Sequence, residues 1–409
     1  MSEYVVIGDG IAGATATEVL HERDDDADIT VITEESEPLY NRINIKEYAK
    51  GKMPEKHIRM HDRDWYDDRG IDLRLDTRVW SVEADDNTVV LHDGEEIGYD
   101  KLLVAVGGEP RDLPVPHGTA DGVHNFWTFV NARQIRRDCE DADHGVVVGA
   151  GLLGIDFAYA LAENDVAGRY LMRGDRWWRY GLDAEGAEII HDELRSVGVE
   201  PVFGEGVDRF AIDRMGQVTE VVGTTGERYP CDVAGVCIGL DLNTGILDGT
   251  DVETDEGIVV DETLRTDDPD IYAAGDCTQF YDVILQEHNI NGSWDSAKKQ
   301  GEIAGRNMVA PDDPETFEIV PKYSVAHFSM PFISLGSPTD AEEFVSRRYG
   351  EQEYRRLGFK DGRLVGAVLI GNVRVVGQLT DVIQRREEVD HLEEELLAEQ
   401  IELDSAPSR

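Results

Sequence analysis

Residues 4–13 read YVVIGDGIAG, and residues 14–23 continue as ATATEVLHER. A short apolar strand runs into three glycines, Gly8, Gly10 and Gly13, and the residues that follow have helical spacing. Each glycine has a physical task in such a turn. The first makes it tight, the second admits a pyrophosphate to the backbone, and the third lets helix meet strand. The free N–H groups at the start of that helix then face the phosphates. The next apolar strand, Ile29 to Ile32, ends at Thr33-Glu34-Glu35, where Glu34 or Glu35 can accept hydrogen bonds from a ribose 2′-hydroxyl. A glycine turn alone also occurs in ordinary α/β domains, but strand, glycines, helix, strand and acid in this order predict a dinucleotide site.

The pattern recurs. Residues 145–154 read GVVVGAGLLG, with Gly149, Gly151 and Gly154 opening the helix IDFAYALAEN. Two copies imply two dinucleotides, and the natural pairing is a bound flavin with a diffusible nicotinamide, because hydride passes directly between them. The acid expected about twenty residues on is missing here, since the strand Arg169 to Met172 ends in Met172-Arg173. A carboxylate there favours NAD and repels a 2′-phosphate, whereas Arg173 or Arg176 can pair with that phosphate. NADPH is therefore expected ahead of NADH. Asp175, between the two arginines, counts against this, and solvated surface charge is the plainer reading.

Length and charge bound the rest. A chain of 409 residues has room for two or three domains of ~100 to 200 residues each. There are 85 acidic residues against 39 basic ones, nine of them lysine, for a net charge of −46. Acidic runs such as Asp24-Asp25-Asp26 and Asp312-Asp313 are spread along the chain rather than gathered in a tail. The pattern reads as a surface adapted to a halophilic cytoplasm, with a basic partner as the alternative. At molar salt the Debye length falls to ~3 Å and self-repulsion is largely screened. Nucleic acid is disfavoured as a partner, because phosphate binding requires a positive face.

No stretch approaches ~18 consecutive apolar residues and the N-terminus enters a strand at Tyr4, so no membrane span and a cytoplasmic location are expected. The four cysteines, Cys139, Cys231, Cys237 and Cys277, show no C-x-x-C spacing. They read as partly buried thiols of a reducing compartment, with no metal site.

Three further segments complete a pattern. YDKLLVAVGG (99–108), LRTDDPDIYAAGDC (264–277) and WDSAKKQGEIAGRNM (294–308) follow in order. They resemble the strand closing the flavin domain, the second flavin fingerprint and the helix by the isoalloxazine edge in the pyridine nucleotide-dependent flavoprotein family. EPLYNRINIKEYAKGKM (37–53) is most similar to the flavin module of the NAD(P)H nitrite reductase large subunit and its relatives, rubredoxin reductase and ferredoxin reductase. YRRLGFKDGRLVGAVLIGN (354–372) also resembles the nitrite reductase module.

The resemblance implies an α/β fold with two Rossmann-like dinucleotide-binding domains, the second inserted in the first, and a small α+β C-terminal domain. The FAD domain is expected over residues 1–119 and 241–312, and the NAD(P) domain over 120–240. A lid or dimerisation domain with an acidic helical tail, and hence a homodimer, is expected over 313–409. Prolines in Pro110 to Gly118, turn-rich sequence in Leu240 to Gly257, and Pro311-Asp312-Asp313-Pro314 mark the joints. Asp361-Gly362 between alternating strands signals a hairpin, and Val389, Leu392 and Leu396 share one helical face in the tail.

Contacts to FAD are implied for Gly8, Gly10, Ile11, Ala12, Gly13, Glu34, Glu35, Arg42, Lys46, Val79, Ala105, Gly107, Gly275 and Asp276. Contacts to NAD(P) are implied for Gly149, Gly151, Leu152, Leu153, Gly154, Arg173 and Gly239. Arg42 matches a family arginine on the flavin pyrophosphate. Asp276 is placed on the ribityl chain, a helix N-cap being the plainer reading. Lys46 by the ring would pair with Asp156, two residues after Gly154, and keep a positive charge there. These two form the expected catalytic pair, against the plainer reading of a surface salt bridge.

NADH oxidases and coenzyme A disulfide reductases share the scaffold but carry a cysteine around position 44, which is Asn44 here. The C-x4-C and C-x-x-C pairs of glutathione and thioredoxin reductases are absent too. Ala105-Val106-Gly107 stands where Ala-Thr-Gly is usual, and Asp241-Leu242-Asn243 lacks the usual proline. The expected function is hydride transfer from NAD(P)H to FAD, then electron delivery to an external acceptor such as a rubredoxin, ferredoxin or nitrite-reducing component. A peroxide-producing NAD(P)H oxidase and a flavin-bound, redox-gated interaction protein are the alternatives.

Overall fold

The computed structural model describes residues 2–325 and 327–401. The chain divides into two compact units, Met1–Ile45 with Met53–Glu109 and Leu240–Ile319, and Lys46–Lys52 with Pro110–Gly239 and Val320–Arg409.

The first unit is built on a five-stranded parallel sheet in the order Ile271–Ala273, Lys101–Val104, Glu3–Ile7, Asp28–Ile32, Asp72–Arg74. Val5, Val6 and Ile7 are buried in succession, as a parallel strand covered on both faces requires. Strand Glu3–Ile7 pairs in register with Asp28–Ile32 on one side and with Lys101–Val104 on the other. Strand order therefore reverses at the first strand, and the loops after Ile7, Ile32 and Val104 leave the same sheet edge. Such a switch point is where open α/β sheets bind ligands. Helix Ile11–Arg23 packs against helix Trp294–Val309. The two helices touch because Gly301 and Gly305 carry no side chain, and a Cβ there would lie 2.1 Å from the Ala12 carbonyl oxygen and 3.0 Å from that of Ala16.

The second unit holds a five-stranded parallel sheet ordered Val199–Phe203, Ala167–Met172, His144–Gly149, Val233–Cys237, Val123–His124. It also holds an antiparallel sheet ordered Lys322–Val325, Phe332–Gly336, Arg363–Ile370, Glu353–Lys360, Glu343–Gly350. The hairpin turn within that sheet is Asp361-Gly362, with φ of 51° and 71°. Two positive φ angles match the twist of the flanking strands, which is why Asp-Gly marks such turns.

The tail departs from the single helix expected of it. Helix Val376–Arg385 stops at Arg386, whose φ of 56° is left-handed, and among the described residues only a 3-10 turn Asp390–Leu392 and one helical turn Glu393–Leu396 follow. The chain is fastened instead by Arg355, buried to 2% exposure, which donates to the carbonyls of Leu396 and Ala398 at 2.6 and 2.8 Å. Val389 and Leu396 are buried, and Leu392 is half-buried. Residues 402–409 of the expected tail lie outside the described residues. Among the described residues no helix is long and apolar enough to cross a membrane.

Candidate functional site

The two glycine turns are near copies in geometry. Gly8 and Gly149 have φ of 104° and 136°, and a Cβ on either would stand 2.2 Å from a carbonyl oxygen, that of Ala105 or Cys237. Gly13 and Gly154 are close-approach positions, where a Cβ would meet the Gly8 carbonyl oxygen at 1.9 Å or the Tyr170 hydroxyl at 1.9 Å. Gly10 and Gly151 differ from these, because no atom lies within 4 Å of where their Cβ would stand. Each therefore leaves an open space at the N-terminus of its helix, Ile11–Arg23 or Leu152–Glu163, the kind of place where free N–H groups receive a phosphate.

Around the first cradle the structure separates the two candidate acids. Glu35 accepts from Arg42 Nη2 at 2.6 Å and from Tyr40 Oη at 2.6 Å, whereas Glu34 is exposed, with Arg78 at 4.0 Å. Arg42 thus lies next to Glu35, and its charge also reaches Asp276. Burial pushes the Asp276 carboxyl up to about 6, with Arg42 pulling it down. Asp276 makes no hydrogen bond among the described residues, so it is no helix cap and keeps its acceptor oxygens. Neighbouring Gly275 has φ of 91° and donates its N–H to Gln300 Oε1 at 2.7 Å. The Ala105 N–H donates to Ile7 O at 2.8 Å, Gly107 follows with φ of 59°, and Val79 is buried on strand Val79–Glu83. Ile11 and Ala12 begin the first helix.

Around the second cradle, Leu152 and Leu153 begin the helix and are half-buried. Gly239 has φ of 108°, and its carbonyl accepts from Arg111 N at 3.0 Å. The two candidate arginines are not equivalent. Arg176 is held by Asp175 at 2.9 Å and by the Leu182 carbonyl at 3.0 Å, while Arg173 is exposed and without a hydrogen bond or ion pair among the described residues.

Lys46 and Asp156 do come together, with Nζ 3.2 Å from Oδ1 and side chains only 14% and 7% exposed. They are part of a larger buried cluster. His327 Nε2 lies 3.0 Å from the same Asp156 oxygen, and Lys50 Nζ lies 2.8 Å from His327 Nδ1 and 3.2 Å from Glu47. Burial alone would raise the Asp156 carboxyl, yet the His327 hydrogen bond and the charges of Lys46 and Lys50 hold it below the usual carboxylate value. Burial lowers Lys50 to about 8 against the pull of Glu47 and Asp156. The segment after His327 is pinned by Glu193, which accepts from Ser329 N and Oγ at 2.6 Å each and from Tyr159 Oη at 2.8 Å.

The sequence reading did not single out His327, Glu47 or Lys50. Lys50 was reachable, because four residues after Lys46 lie on the same face of a helix, here Ile45–Ala49 with its following turn. His327 offered no local signal, being 171 residues from Asp156. All four cysteines are buried and free. Burial pushes their thiols up, Cys277 to about 11 and Cys139 and Cys237 to about 12. Asn44, where a thiol would stand in some flavin enzymes, has its N–H bonded to Asn41 Oδ1 at 3.0 Å.

Residues 2–301 match the sequence profile of the family described as pyridine nucleotide-disulphide oxidoreductase, and residues 326–387 match the rubredoxin NAD+ reductase C-terminal domain. The chain is 26% identical over 392 residues to the NADH-rubredoxin oxidoreductase of Clostridium acetobutylicum, covering 96% of this chain and 97% of that one. It is 25% identical over 399 residues to the assimilatory nitrate reductase electron transfer subunit of Bacillus subtilis, covering 96% of this chain but spanning only 50% of that relative. A crystal structure of the covalent putidaredoxin reductase–putidaredoxin complex superposes with a TM-score of 0.89 at 23% identity, over 95% of this chain and 94% of that one. At that identity the likeness speaks for the fold.

Proposed function

Because the chain belongs to the pyridine nucleotide-disulphide oxidoreductase family, we propose that it takes hydride from a nicotinamide nucleotide onto FAD and passes electrons to a separate small redox protein without using a thiol. The observation that carries this reading is the state of the sulfur. The chain has four cysteines, all buried, and burial keeps their thiols protonated. A protonated, inaccessible thiol is neither a nucleophile nor half of an exchanging disulfide. The near full-length likeness to an NADH-rubredoxin oxidoreductase supports an iron-sulfur or rubredoxin-type acceptor.

Bound FAD supplies the chemistry of accepting hydride and releasing electrons singly. The first cradle binds its diphosphate at Gly10, with Arg42 supplying charge and Glu35 accepting from the ribose. Asp276 accepts from the ribityl chain. Lys46, paired with Asp156 at 3.2 Å, is the side chain offered to the ring, while His327 and Lys50 fix the carboxylate that orients it. The second cradle orients the nicotinamide nucleotide at Gly151. Arg173, with no hydrogen bond or ion pair among the described residues, favours a 2′-phosphate and hence NADPH.

Alkylation tests the thiol claim. Purified in high salt, the protein should be yellow and be bleached by NADPH, and treatment with N-ethylmaleimide should leave electron transfer to a rubredoxin or ferredoxin unchanged. Loss of transfer on alkylation, or no bleaching by either nucleotide, refutes the reading.

A further inference from the structure

The first glycine turn carries a carboxylate between its glycines, Asp9 of Gly8-Asp9-Gly10, buried to 7% exposure. Its Oδ2 accepts the Leu39 N–H at 2.9 Å, and Tyr66 Oη lies 2.8 and 2.9 Å from its two oxygens. Leu39 opens the loop that carries Tyr40 and Arg42, and Tyr66 is a fully buried member of helix Arg63–Asp67. One side chain thus ties two segments to the turn that cradles the diphosphate.

We propose that Asp9 is a positioning residue for FAD, and that its proton decides how tightly the cofactor's diphosphate is held. The contacts suit both protonation states. As a carboxylate Asp9 accepts from Leu39 and Tyr66. As an acid it still accepts from Leu39 and donates to Tyr66 Oη. The loop therefore stays in register either way, and what changes is one negative charge, one residue from the open glycine where a dianionic diphosphate settles.

Apart from these hydrogen bonds, the surroundings offer that charge no relief. No cation pairs with Asp9 among the described residues. The anion whose charge acts on it is Glu35, already engaged by Arg42 and Tyr40. His61 is paired with Glu18 at 3.1 Å and meets the Tyr66 ring edge-on. Burial drives the Asp9 carboxyl up to about 7, with Tyr66 and Leu39 pulling it down and Glu35 adding to the rise. Its proton is accordingly exchanged near neutrality, and FAD binding draws a proton onto Asp9.

This inference rests on the assignment of the first turn to FAD, and the test separates the two. FAD is titrated into apo-protein in high salt at pH 6, 7, 8 and 9, read by quenching of flavin fluorescence, for the wild type, Asp9→Asn and Tyr66→Phe. The wild-type Kd should rise at least tenfold between pH 6 and pH 9. Asp9→Asn, neutral at every pH, should bind with a flat profile near the wild-type value at pH 6. Tyr66→Phe removes a donor to the carboxylate and should move the wild-type midpoint to higher pH, which keeps the test decisive should Asp9→Asn fail to fold. A flat wild-type profile, an Asp9→Asn profile that keeps the wild-type slope, or an unmoved midpoint in Tyr66→Phe overturns the role of Asp9. Failure of every form to bind FAD at any pH overturns the cofactor assignment instead.

Discussion

Substituting alanine at Gly10 and at Gly13 separates binding from folding within one turn. Gly10 has φ of −74°, which any residue adopts, and no atom within 4 Å of its Cβ position. Gly10→Ala should therefore change the stability of the apo-protein by no more than about 0.5 kcal/mol. Its methyl group, however, occupies the space in which the diphosphate meets the helix N-terminus. The FAD Kd should rise at least tenfold, a loss of about 1.4 kcal/mol. At Gly13 the same methyl would stand 1.9 Å from the Gly8 carbonyl oxygen, far inside contact distance, so the helix must back away from the strand. Gly13→Ala should cost about 3 kcal/mol or more before any ligand is added. Denaturant unfolding of the apo-proteins in high salt reads the first quantity and fluorescence titration with FAD reads the second. Wild-type FAD affinity in Gly10→Ala, or wild-type stability in Gly13→Ala, would contradict the assignment of cradle and close approach. The same contrast should hold between Gly151→Ala and Gly154→Ala, the second meeting the Tyr170 hydroxyl at 1.9 Å, with NADPH binding as the readout.

Four further outcomes are expected. Asp156→Asn strands the buried Lys46 and takes a carboxylate from His327 and Lys50, which keep Glu47, and should destabilise the protein by about 3–5 kcal/mol, whereas Lys46→Met leaves the carboxylate its His327 bond at 3.0 Å and should cost less; the reverse order of denaturation midpoints would contradict the shared carboxylate. Lys50 is held near pKa 8 against an ordinary 10.5, so the unfolded chain binds more protons between those values and stability should rise with pH across that window, by at most about 1.4 kcal/mol per pH unit. In Lys50→Met that rise should flatten, and a rise that persists shows that another group titrates. Arg173→Glu should shift the ratio of kcat/KM for NADPH over NADH at least tenfold toward NADH, and an unchanged ratio removes Arg173 from nucleotide choice. With a net charge of −46, melting temperature should climb as KCl is raised from dilute buffer to molar concentration, and a flat or falling trend refutes the high-salt reading of the surface.

The fold was legible where one residue type answers one geometric demand. Three glycines at fixed spacing between an apolar run and a helical one leave few alternatives, and the second copy repeats the demand. The Asp361-Gly362 hairpin was legible for the same reason, since both of its residues take positive φ. Lys46 and Asp156 could be paired only through resemblance, because they stand 110 residues apart and spacing says nothing across that distance. His327 was hidden for the same reason and carried no motif of its own. The tail was misread because helical periodicity cannot anticipate the left-handed Arg386 or the buried Arg355 that takes up the last carbonyls. Asp9 was visible inside the motif, but its importance lies in burial and in Tyr66, neither of which a glycine pattern encodes.

The most direct measurement follows the flavin through both halves of the cycle in a stopped-flow instrument. The oxidised protein is mixed anaerobically with NADPH, and the bleached protein is then mixed with air-saturated buffer or with an oxidised rubredoxin or ferredoxin. Rapid bleaching, slow recovery of colour in air and recovery many times faster with the iron-sulfur or rubredoxin acceptor is the expected result. Fast recovery in air with hydrogen peroxide as product, and no acceleration by either acceptor, would contradict the central claim that the electrons are destined for a separate redox protein.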